Sequence, residues 1–333
     1  MKENLGAITL KSGEVVEAVV ITGPDQEWAE RVESLLGHKG RVWRWQISQN
    51  VREPMLIDAK YYLLVRDDIP FANMLTAEYE GVGHFGHVYT RPEDRRQGAA
   101  SQLMALLMAD FRRRGGRALF LGTGYDSHPH HIYASHGFRG LEPMSGRMSY
   151  FTSSASEFEV QYFPSGRASV REVTWTHWPT TAPLFTGDYP GVVRCLSLGL
   201  LGRASTEGPL LDVLQWERES RESGEAPRSL VLEHDETSAV VGYAMWSRDP
   251  LWPGTCIIDI YCHPGFWDQG RYLLEELTLP ETDRVLAYCD CGHEPREGVL
   301  AAAGFRPACP LAQRVAADAA RTGWVDVQEW EKV

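Results

Sequence analysis

The chain has no apolar run of the roughly 20 residues that a transmembrane helix needs. The residues that follow Met1 also lack the apolar core of a secretory signal peptide. Cysteine is scarce, with six residues scattered over 333, which argues against a disulfide framework and favours reduced thiols. The content of 43% hydrophobic and 23% charged residues is that of a globular protein. We therefore expect a cytoplasmic protein of about two domains with no membrane partner.

Positive charge is also in short supply. The chain has 33 lysines and arginines against 45 acidic residues, a net charge of −12. A nucleic-acid partner is not expected, because phosphate contacts need clustered basic side chains. One short region is an exception, and it contains Arg91, Arg95, Arg96, Arg112, Arg113, Arg114 and Arg117. Residues 112–114 are expected to form the cationic last turn of a helix, which leaves the earlier arginines for a ligand.

A strand, a tight turn and an amphipathic helix are predicted in succession over residues 88–108. The turn has the form Arg-x-x-Gly-x-Ala, from Arg95 to Ala100, with small residues where a backbone approaches a ligand. The unpaired N–H groups and the positive dipole end of such a helix start form an anion site. Arg95 and Arg96 add charge for phosphate oxygens. This motif therefore predicts a pyrophosphate site.

The same turn lacks the Gly-x-Gly-x-x-Gly pattern of dinucleotide sites and the Gly-Lys-Ser/Thr ending of nucleotide P-loops. Preceded by Val-Tyr-Thr-x-Pro, it resembles the acetyl-coenzyme A loop of the GNAT superfamily of N-acetyltransferases. Downstream, residues 132–138 resemble the Tyr-x-x-x-Gly-Phe segment of that family. The plainer alternative is an ordinary βαβ unit with a basic helix start. The resemblance implies an α+β fold, a mostly antiparallel mixed sheet flanked by helices, with acetyl-CoA as co-substrate.

In GNAT enzymes the backbone holds most of the cofactor, through the loop and through a splayed strand. The cofactor-binding residues that the resemblance implies are Val88, Tyr89, Thr90, Arg95, Arg96, Gln97, Gly98, Ala99, Ala100 and Ser101. Many members also have an Asn seven residues before the Tyr, where this chain has Asp126. We count Asp126 as a cofactor contact, and Asp126 or Ser127 as the cap of the next helix.

The second half of the chain repeats the first. Residues 87–92 recur as residues 259–264, and the Pro-to-Gly spacing of the loop is kept with an offset of 172 (264 − 92 = 270 − 98). Residues 61–65 recur as 229–233, and Gly-Phe at 137–138 recurs at 304–305. The sequence thus resembles two GNAT domains in tandem. We expect domains at 1–152 and 168–333, joined by a linker at 153–167.

The second copy departs from the first at three positions that carry chemistry. Trp267 replaces Arg95, Tyr272 replaces Ala100, and Leu300 replaces Tyr133. A tyrosine at the helix start fills the space that a pyrophosphate needs. We interpret the second domain as a degenerate one, although an altered mode of coenzyme A binding is left open by the sequence.

Within the first domain the patterns predict a series of elements. Strands are expected at 13–21, 61–66, 71–77, 84–90, 118–122 and around 148–150, and helices at 26–36, 99–114 and near 129–135. Asp25 is the expected cap of the first helix. Residues 42–47 alternate apolar and polar side chains in a region that is irregular in the family.

Two residues are the candidates for catalysis. Tyr133, four positions before Gly137, corresponds to the family's general acid, which protonates the departing thiolate. His84 corresponds to the position where several members have a Glu base. Glu78 and Glu80 are alternatives, and His87, three residues further on, is expected on the opposite face of the strand. No metal is expected, because the histidines near residue 130 have no suitably spaced partners.

The sequence therefore predicts an acetyl-CoA-dependent N-acetyltransferase that acts on the amine of a small molecule. An acidic chain favours a cationic acceptor. Two alternatives remain, namely an acyl or aminoacyl transferase that uses another carrier, including tRNA, and a non-catalytic acyl-CoA-binding sensor. The acceptor, the acyl length and the oligomeric state are not indicated by the sequence.

Overall fold

The computed structural model describes residues 1–332, and the chain divides into two compact units. The first unit contains Met1–Gly140 and Met148–Phe158, and the second contains Leu141–Arg147 and the chain from Glu159 onward. Over the described residues, no helix combines the length and the apolar character that a membrane crossing requires.

The first unit is built on one sheet of eight strands. The strands are β1 (Lys2–Thr9), β2 (Val15–Thr22), β3 (Asp58–Arg66), β4 (Ile69–Tyr79), β5 (Val82–Thr90), β6 (Ala118–Gly122), β7 (Arg139–Gly140) and β8 (Arg147–Phe151). The helices are α1 (Gln26–Leu36), α2 (Arg41–Arg52), α3 (Ala99–Arg113) and α4 (His128–Ser135). In space the strands follow the order β1-β2-β3-β4-β5-β6-β8-β7, antiparallel from β1 to β5, with β5 and β6 parallel. The predicted α+β class, with a mostly antiparallel mixed sheet and flanking helices, is confirmed.

Each face of this sheet carries its own apolar core. Alternate residues of a strand point to opposite faces, so that the neighbours Tyr61 and Tyr62 belong to different cores. On one face Tyr62 packs with Leu103 of α3, and on the other Tyr61 packs with Trp28 of α1. Each large side chain buried in this way stabilises the unit by about 1.5–3 kcal/mol before entropy is counted.

Helix α1 begins and ends where the sequence predicts. The Asp25 side chain accepts a hydrogen bond from the N–H of Trp28 at 3.2 Å, which satisfies one of the free donors of the first turn. Trp28, Val32 and Leu35 lie on its buried face. The spacing of three and four residues is that of an amphipathic helix.

The alternating segment 42–47 is helical instead of extended, since it belongs to α2. The residues that α2 buries are Gln46, Ile47, Asn50 and Val51. They recur at intervals of one, three and four, the period of a helix, which a six-residue window is too short to reveal. Strand β1 is a second element that the sequence patterns did not predict. Its side chains are mostly exposed, so that hydrophobic alternation gives little signal.

The second unit is built on a sheet of seven strands and a separate two-stranded ladder. Its strands are β9 (Ala168–Glu172), β10 (Val193–Cys195), β11 (Leu200–Leu201), β12 (Ser229–His234), β13 (Val240–Arg248), β14 (Thr255–Cys262), β15 (Arg284–Asp290), β16 (Phe305–Ala316) and β17 (Trp324–Lys332). The helices after α4 are α5 (Ala155–Tyr162), which contains the boundary between the units, α6 (His177–Thr180), α7 (Ala182–Thr186), α8 (Pro209–Ser223), α9 (Trp267–Glu276) and α10 (Glu294–Ala302). Helix α5 lies within the segment 153–167 for which the sequence predicts a linker.

The two large sheets share one strand order. The second follows β9-β12-β13-β14-β15-β17-β16, and the first, after β1, follows β2-β3-β4-β5-β6-β8-β7. The parallel pair stands at the same place in both, β5 with β6 and β14 with β15. This is the topology expected of a repeated domain.

Candidate functional site

The sheet of the first unit opens where its two parallel strands part. Strand β5 pairs with β6 only from Val82 to His84, opposite Ala118 to Phe120. From Phe85 onward β5 keeps β4 as its only partner strand among the described residues. We call this divergence the strand split. Along its edges, backbone N–H and C=O groups without a partner strand can bind a ligand. The split lies at the carboxyl ends of the two parallel strands, which is where open sheets bind ligands.

The arginine loop, residues 95–98, lies between the end of β5 and the start of α3. It follows a 3₁₀ turn at Pro92–Asp94, and two of its residues have positive φ, Arg96 at 64° and Gly98 at 80°. Among the described residues, none accepts a hydrogen bond from the N–H groups of residues 96–101. They lie at the positive end of α3, a helix of 15 residues. This row of free donors can bind a multiply charged anion.

Local charges at the arginine loop favour an anion. Arg95 donates through Nε to the carbonyl of Thr90 at 3.1 Å, and the exposed Arg95 and Arg96 take part in no ion pair within residues 1–332. The one nearby buried carboxylate, Asp94, is neutralised by Arg66 at 2.8 Å. No acidic group of the described loop therefore competes for its basic side chains.

Lys11 is a neighbour of the loop that the sequence patterns did not reveal. Its N–H donates to the carbonyl of Gln97 at 3.0 Å, and its Cε lies 3.8 Å from the position that a Cβ on Gly98 would take. Gln102 fixes the same turn by donating to the carbonyl of Thr9 at 2.8 Å. Gly13, at a φ of 88°, is the sequence signal for a tight turn here, but nothing in it indicates which loop the turn contacts.

Residues 112–114 of the arginine cluster lie at the other end of α3. Arg114 pairs with Glu78 at 2.9 Å and with Asp110 at 2.8 Å, and Arg113 pairs with Asp110 at 2.5 Å. Tyr62 donates to the same Asp110 at 2.6 Å, and the hydrogen bonds from Tyr62 and Arg114 hold the pKa of that carboxyl below its usual range against the effect of burial. These groups form a structural network, which removes Glu78 from the candidates for a catalytic base.

A β-bulge distorts β5 beside the split. Gly86 pairs with Leu75 but Tyr89 pairs with Asn73, so that β5 contains one more residue than β4 over this interval. His87 has a φ of 50°, and its carbonyl accepts a hydrogen bond from Asn73 at 2.8 Å. The bulge turns the His87 ring toward α2, where Nε2 lies 2.6 Å from Oε1 of Gln46. Trp43 packs edge-on against the same ring at 5.2 Å.

His84 and His87 lie on one face of the sheet, and the expectation of opposite faces was wrong. His84 stands opposite Ala77, which points to the same side as Leu75 in the core under α1. The extra residue of the bulge restores His87 to that side. Burial, with Lys39 and His38 nearby, lowers the pKa of His87 to about 3. His87 is therefore neutral near pH 7 and does not serve as a base there.

Tyr133 reaches the strand split from the other face. It lies on α4, is 6% exposed, and packs edge-on against Phe85 with ring centres 5.2 Å apart. Phe85 is the first residue of β5 beyond the parallel pairing. His84, the last paired residue, and Tyr133 therefore flank the opening of the split from opposite faces.

The other predicted contacts line the path from the split to the loop. Val88 packs toward the core under α3, and Tyr89 packs toward α1 with its ring 4.1 Å from His38. Ala99 is buried, Ala100 is half-buried, and Ser101 is exposed on the first turn of α3. These positions bring small or backbone groups, and few functional side chains, to the site.

Asp126 lies in the turn before α4. It has a φ of 56°, is 73% exposed, and accepts a bond from His131 at 3.0 Å. Ser127, and not Asp126, caps α4, by accepting from the N–H of His130. Nowhere in residues 1–332 do three or more His, Cys, Asp or Glu side chains gather in a way that could hold a metal ion.

Comparison with known proteins assigns this region to a family. Residues 42–138, which contain β3 to α4, match the sequence model of the acetyltransferase (GNAT) family. No curated protein matches the chain.

Several solved structures resemble about half of the chain. They include a ribosomal-protein-alanine N-acetyltransferase from Brucella melitensis (19% identity, 50% of this chain and 99% of that one, TM-score 0.36), an N-acetyltransferase from Staphylococcus aureus Mu50 (15% identity, 50% and 98%, TM-score 0.36) and a GNAT superfamily phosphinothricin acetyltransferase from Sinorhizobium meliloti in complex with AcCoA (19% identity, 50% and 88%, TM-score 0.35). None of these likenesses identifies the acceptor. The family match itself is direct: residues 42–138 form an acetyltransferase domain of the GNAT family, a family of acyltransferases.

Proposed function

We propose that the first unit is an acetyl-CoA-dependent N-acetyltransferase that transfers an acetyl group to the amine of a small molecule. The observation that carries the proposal is the row of free N–H groups at residues 96–101, which lies between a parallel-strand split and the start of α3. The family match over residues 42–138 supports the same assignment.

In this proposal the coenzyme A phosphates bind at the arginine loop. The N–H groups of residues 96–101 donate hydrogen bonds to the phosphate oxygens, and Arg95, Arg96 and Lys11 supply positive charge. The thioester arm extends into the strand split along Val88, Tyr89 and Thr90. Backbone N–H groups on the open edge of β5 then polarise the thioester carbonyl, as in other oxyanion sites.

The chemistry needs a base and an acid on the two sides of the split. The acceptor ammonium loses a proton to His84, and the free amine attacks the thioester carbonyl carbon. The new C–N bond forms and the C–S bond breaks, so that the electron pair leaves on sulfur. Tyr133 protonates that thiolate, and the proton that the attacking nitrogen loses as the amide forms restores the Tyr133 hydroxyl. The position of His84 and Tyr133 on opposite faces of the split supports this division of roles.

The acceptor is proposed to be cationic. The chain carries a net charge of −12, and the basic side chains of the arginine loop are assigned to the phosphates. A positively charged amine is attracted to the rest of such a surface. Asp126 is retained as a cofactor contact only through its position in the family pattern.

The domain division at 1–152, 153–167 and 168–333 is kept in the proposal, with a second, degenerate GNAT domain and a cytoplasmic location. The shared strand order of the two sheets supports the tandem arrangement. Coenzyme A binding is assigned to the first domain alone.

A matched pair of glycine variants tests the site. Gly98 and Gly115 stand at the two ends of α3 with φ of 80° and 79°, so that Gly98→Val and Gly115→Val impose the same backbone strain. Calorimetry with coenzyme A should show binding in the wild type and in Gly115→Val, and none in Gly98→Val. A thiol-release assay with acetyl-CoA and a panel of polyamines and amino sugars should follow the same order.

Two results would contradict the proposal. Equal coenzyme A affinity in both glycine variants would mean that the phosphates do not bind at the arginine loop. Binding without thiol release on any amine of the panel would favour the sensor function.

A further inference from the structure

The second unit has a strand split of its own, at the same place in its sheet. Strands β14 and β15 are parallel and pair only from Thr255 to Ile258, opposite Arg284 to Ala287. Beyond these residues the strands keep only their outer partners, β13 and β17, among the described residues. The first unit leaves the edge of β5 open at this point, but the second does not.

A segment of the chain itself lies across this second split. Residues 190–197, which include β10, contact both β14 and β15. Asp290 of β15 accepts from the N–H of Val193 at 2.8 Å and from the N–H of Val192. Asp259 of β14 accepts from the N–H of Leu196 at 2.7 Å and from the N–H of Ser197 at 2.9 Å. One carboxylate from each diverging strand therefore binds two consecutive amides of the segment.

Further groups hold the segment from both sides. Tyr261 of β14 donates to the carbonyl of Pro190 at 3.1 Å, and Arg296 of α10 donates to the carbonyl of Val193. Arg194, 2% exposed, donates to the carbonyls of Phe185, Gly187, Tyr189 and Gly191 at 2.8–3.2 Å. Cys195 is completely buried. The segment is thus bound by its backbone, in the way that an extended peptide is bound.

The space that remains beside the segment does not suit a pyrophosphate. It is a cavity of about 390 Å³ at the carboxyl ends of β14 and β15, lined by Asp290, Glu294, Trp267 and the segment's own Pro190. No lysine or arginine is among the described residues that line it. Carboxylates without a basic partner repel an anion.

From these contacts we infer that the split of the second unit is a peptide-binding site whose ligand is the chain's own segment 190–197. The segment occupies the place that the proposed function gives to the thioester arm in the first unit, and the inference rests on that proposal in this one respect. Asp259 and Asp290 are the recognition groups, one on each strand. The second unit accordingly takes up no acyl-CoA in its split.

Hydrogen–deuterium exchange of the full chain, read by mass spectrometry, tests the inference without any ligand. In the wild type, peptides that contain residues 190–197 should exchange at least about tenfold more slowly than the exposed turn at 249–254. Asp290→Ala should speed exchange at Val192 and Val193, and Asp259→Ala at Leu196 and Ser197. The control is Asp249→Ala, which removes the acceptor for Leu251 and Trp252 in the exposed turn and should leave the segment unchanged.

Asp290→Asn and Asp259→Asn keep one acceptor oxygen and serve if an alanine variant does not fold. They should raise exchange at the same amides by a smaller factor. Wild-type exchange over residues 190–197 as fast as in the 249–254 turn would overturn the inference. So would unchanged exchange at those amides in both aspartate variants.

Added coenzyme A separates this inference from the proposed function. It should slow exchange in the arginine loop and leave residues 190–197 as they were. Faster exchange of the segment on addition of coenzyme A would show displacement by the ligand and overturn the inference. No coenzyme A binding at all would contradict the proposed function, while the exchange of the free chain still decides the state of the segment.

Discussion

Gly98 and Gly270 stand at the same position in the two halves of the sequence but for different physical reasons. Gly98 has a φ of 80° and precedes α3, with no atom closer than 3.6 Å to where its Cβ would be. Gly270 lies inside α9, where a Cβ would come within 2.9 Å of Sγ of Cys262 on β14. The first glycine serves an open loop, whereas the second serves close packing of a helix on a strand. A shared glycine is thus no sign of a shared ligand.

The residues around these two glycines also differ in structure between the units. In the first unit residues 95–98 form a loop, whereas their counterparts from Trp267 to Gly270 are the first turn of α9. His87, beside the first split, corresponds to Asp259, which binds the inserted segment in the second. Two sheets can therefore share a strand order and a split while they present different side chains beside that split.

The largest effect, a loss of coenzyme A affinity, is expected when Ala100 of the first unit is replaced by tyrosine, the residue at the corresponding position 272 of the second unit. Ala100→Tyr adds a phenol to the first turn of α3, among the residues whose N–H groups are free. Coenzyme A affinity should fall by at least about a hundredfold, or about 2.7 kcal/mol. The control is Ala105→Tyr, at an exposed position of the same helix, which should bind as the wild type does. Both are measured by isothermal titration calorimetry.

The reverse exchange sharpens the comparison. Tyr272→Ala should not create a second site, because residues 267–270 stay helical and the split stays occupied. The stoichiometry should remain one coenzyme A per chain. A value of two, in the wild type or in this variant, would mean that the second unit binds the ligand by another route.

A smaller effect is expected from the tyrosine that the second unit lacks. Tyr133→Phe removes only a hydroxyl, so that packing against Phe85 and cofactor affinity should be kept. The turnover number should fall by roughly ten- to a thousandfold, since one proton-transfer group is lost. The Michaelis constant should change little, because the proton reaches sulfur only as the thiolate departs.

Tyr125→Phe, in the exposed loop before α4, is the matched control and should turn over as the wild type does. If Tyr133→Phe stays within about twofold of the wild type while chemistry limits the rate, another group is the acid. Leu300→Tyr in the second unit should not raise the turnover number, since that unit has no proposed thiolate to protonate.

Local signals explain what the sequence predicted well. Asp25 caps α1 at the expected residue, the strand at Ala118–Gly122 has its predicted bounds, and α3 begins at Ala99 after the glycine. Each of these boundaries is set by neighbouring residues in the chain. The arginine loop belongs to the same class, because its conformation depends on Gly98 and on the helix that follows.

Other structural features depend on contacts between residues that are far apart in the chain, and short sequence patterns cannot predict such contacts. The contact of Lys11 with the arginine loop joins residues that lie 86 positions apart at Gln97 (97 − 11). The inserted segment is held by Asp290, about a hundred residues away. The bulge at His87 reversed an expectation that was based on strict alternation, since one extra residue shifts every later side chain to the other face.

The smallest effect tests the neutral histidine that stands where the second unit has Asp259. Burial lowers the pKa of His87 to about 3, against about 6.5 in the unfolded chain. Below pH 6.5 the unfolded state therefore binds a proton that the folded state refuses, and stability is lost as the pH falls from 6.5 toward 3. Between pH 7.5 and 5.5 this one group should cost the wild type about 1.4 kcal/mol of unfolding free energy.

His87→Gln keeps a polar group beside Gln46 and lacks that loss. In urea unfolding followed by circular dichroism, the wild type should therefore lose more stability than the variant over this pH interval. His128→Gln, at an exposed position on α4, should change in parallel with the wild type. Equal pH dependence in His87→Gln and the wild type would mean that His87 takes up a proton in the folded state, and it would then compete with His84 as the base.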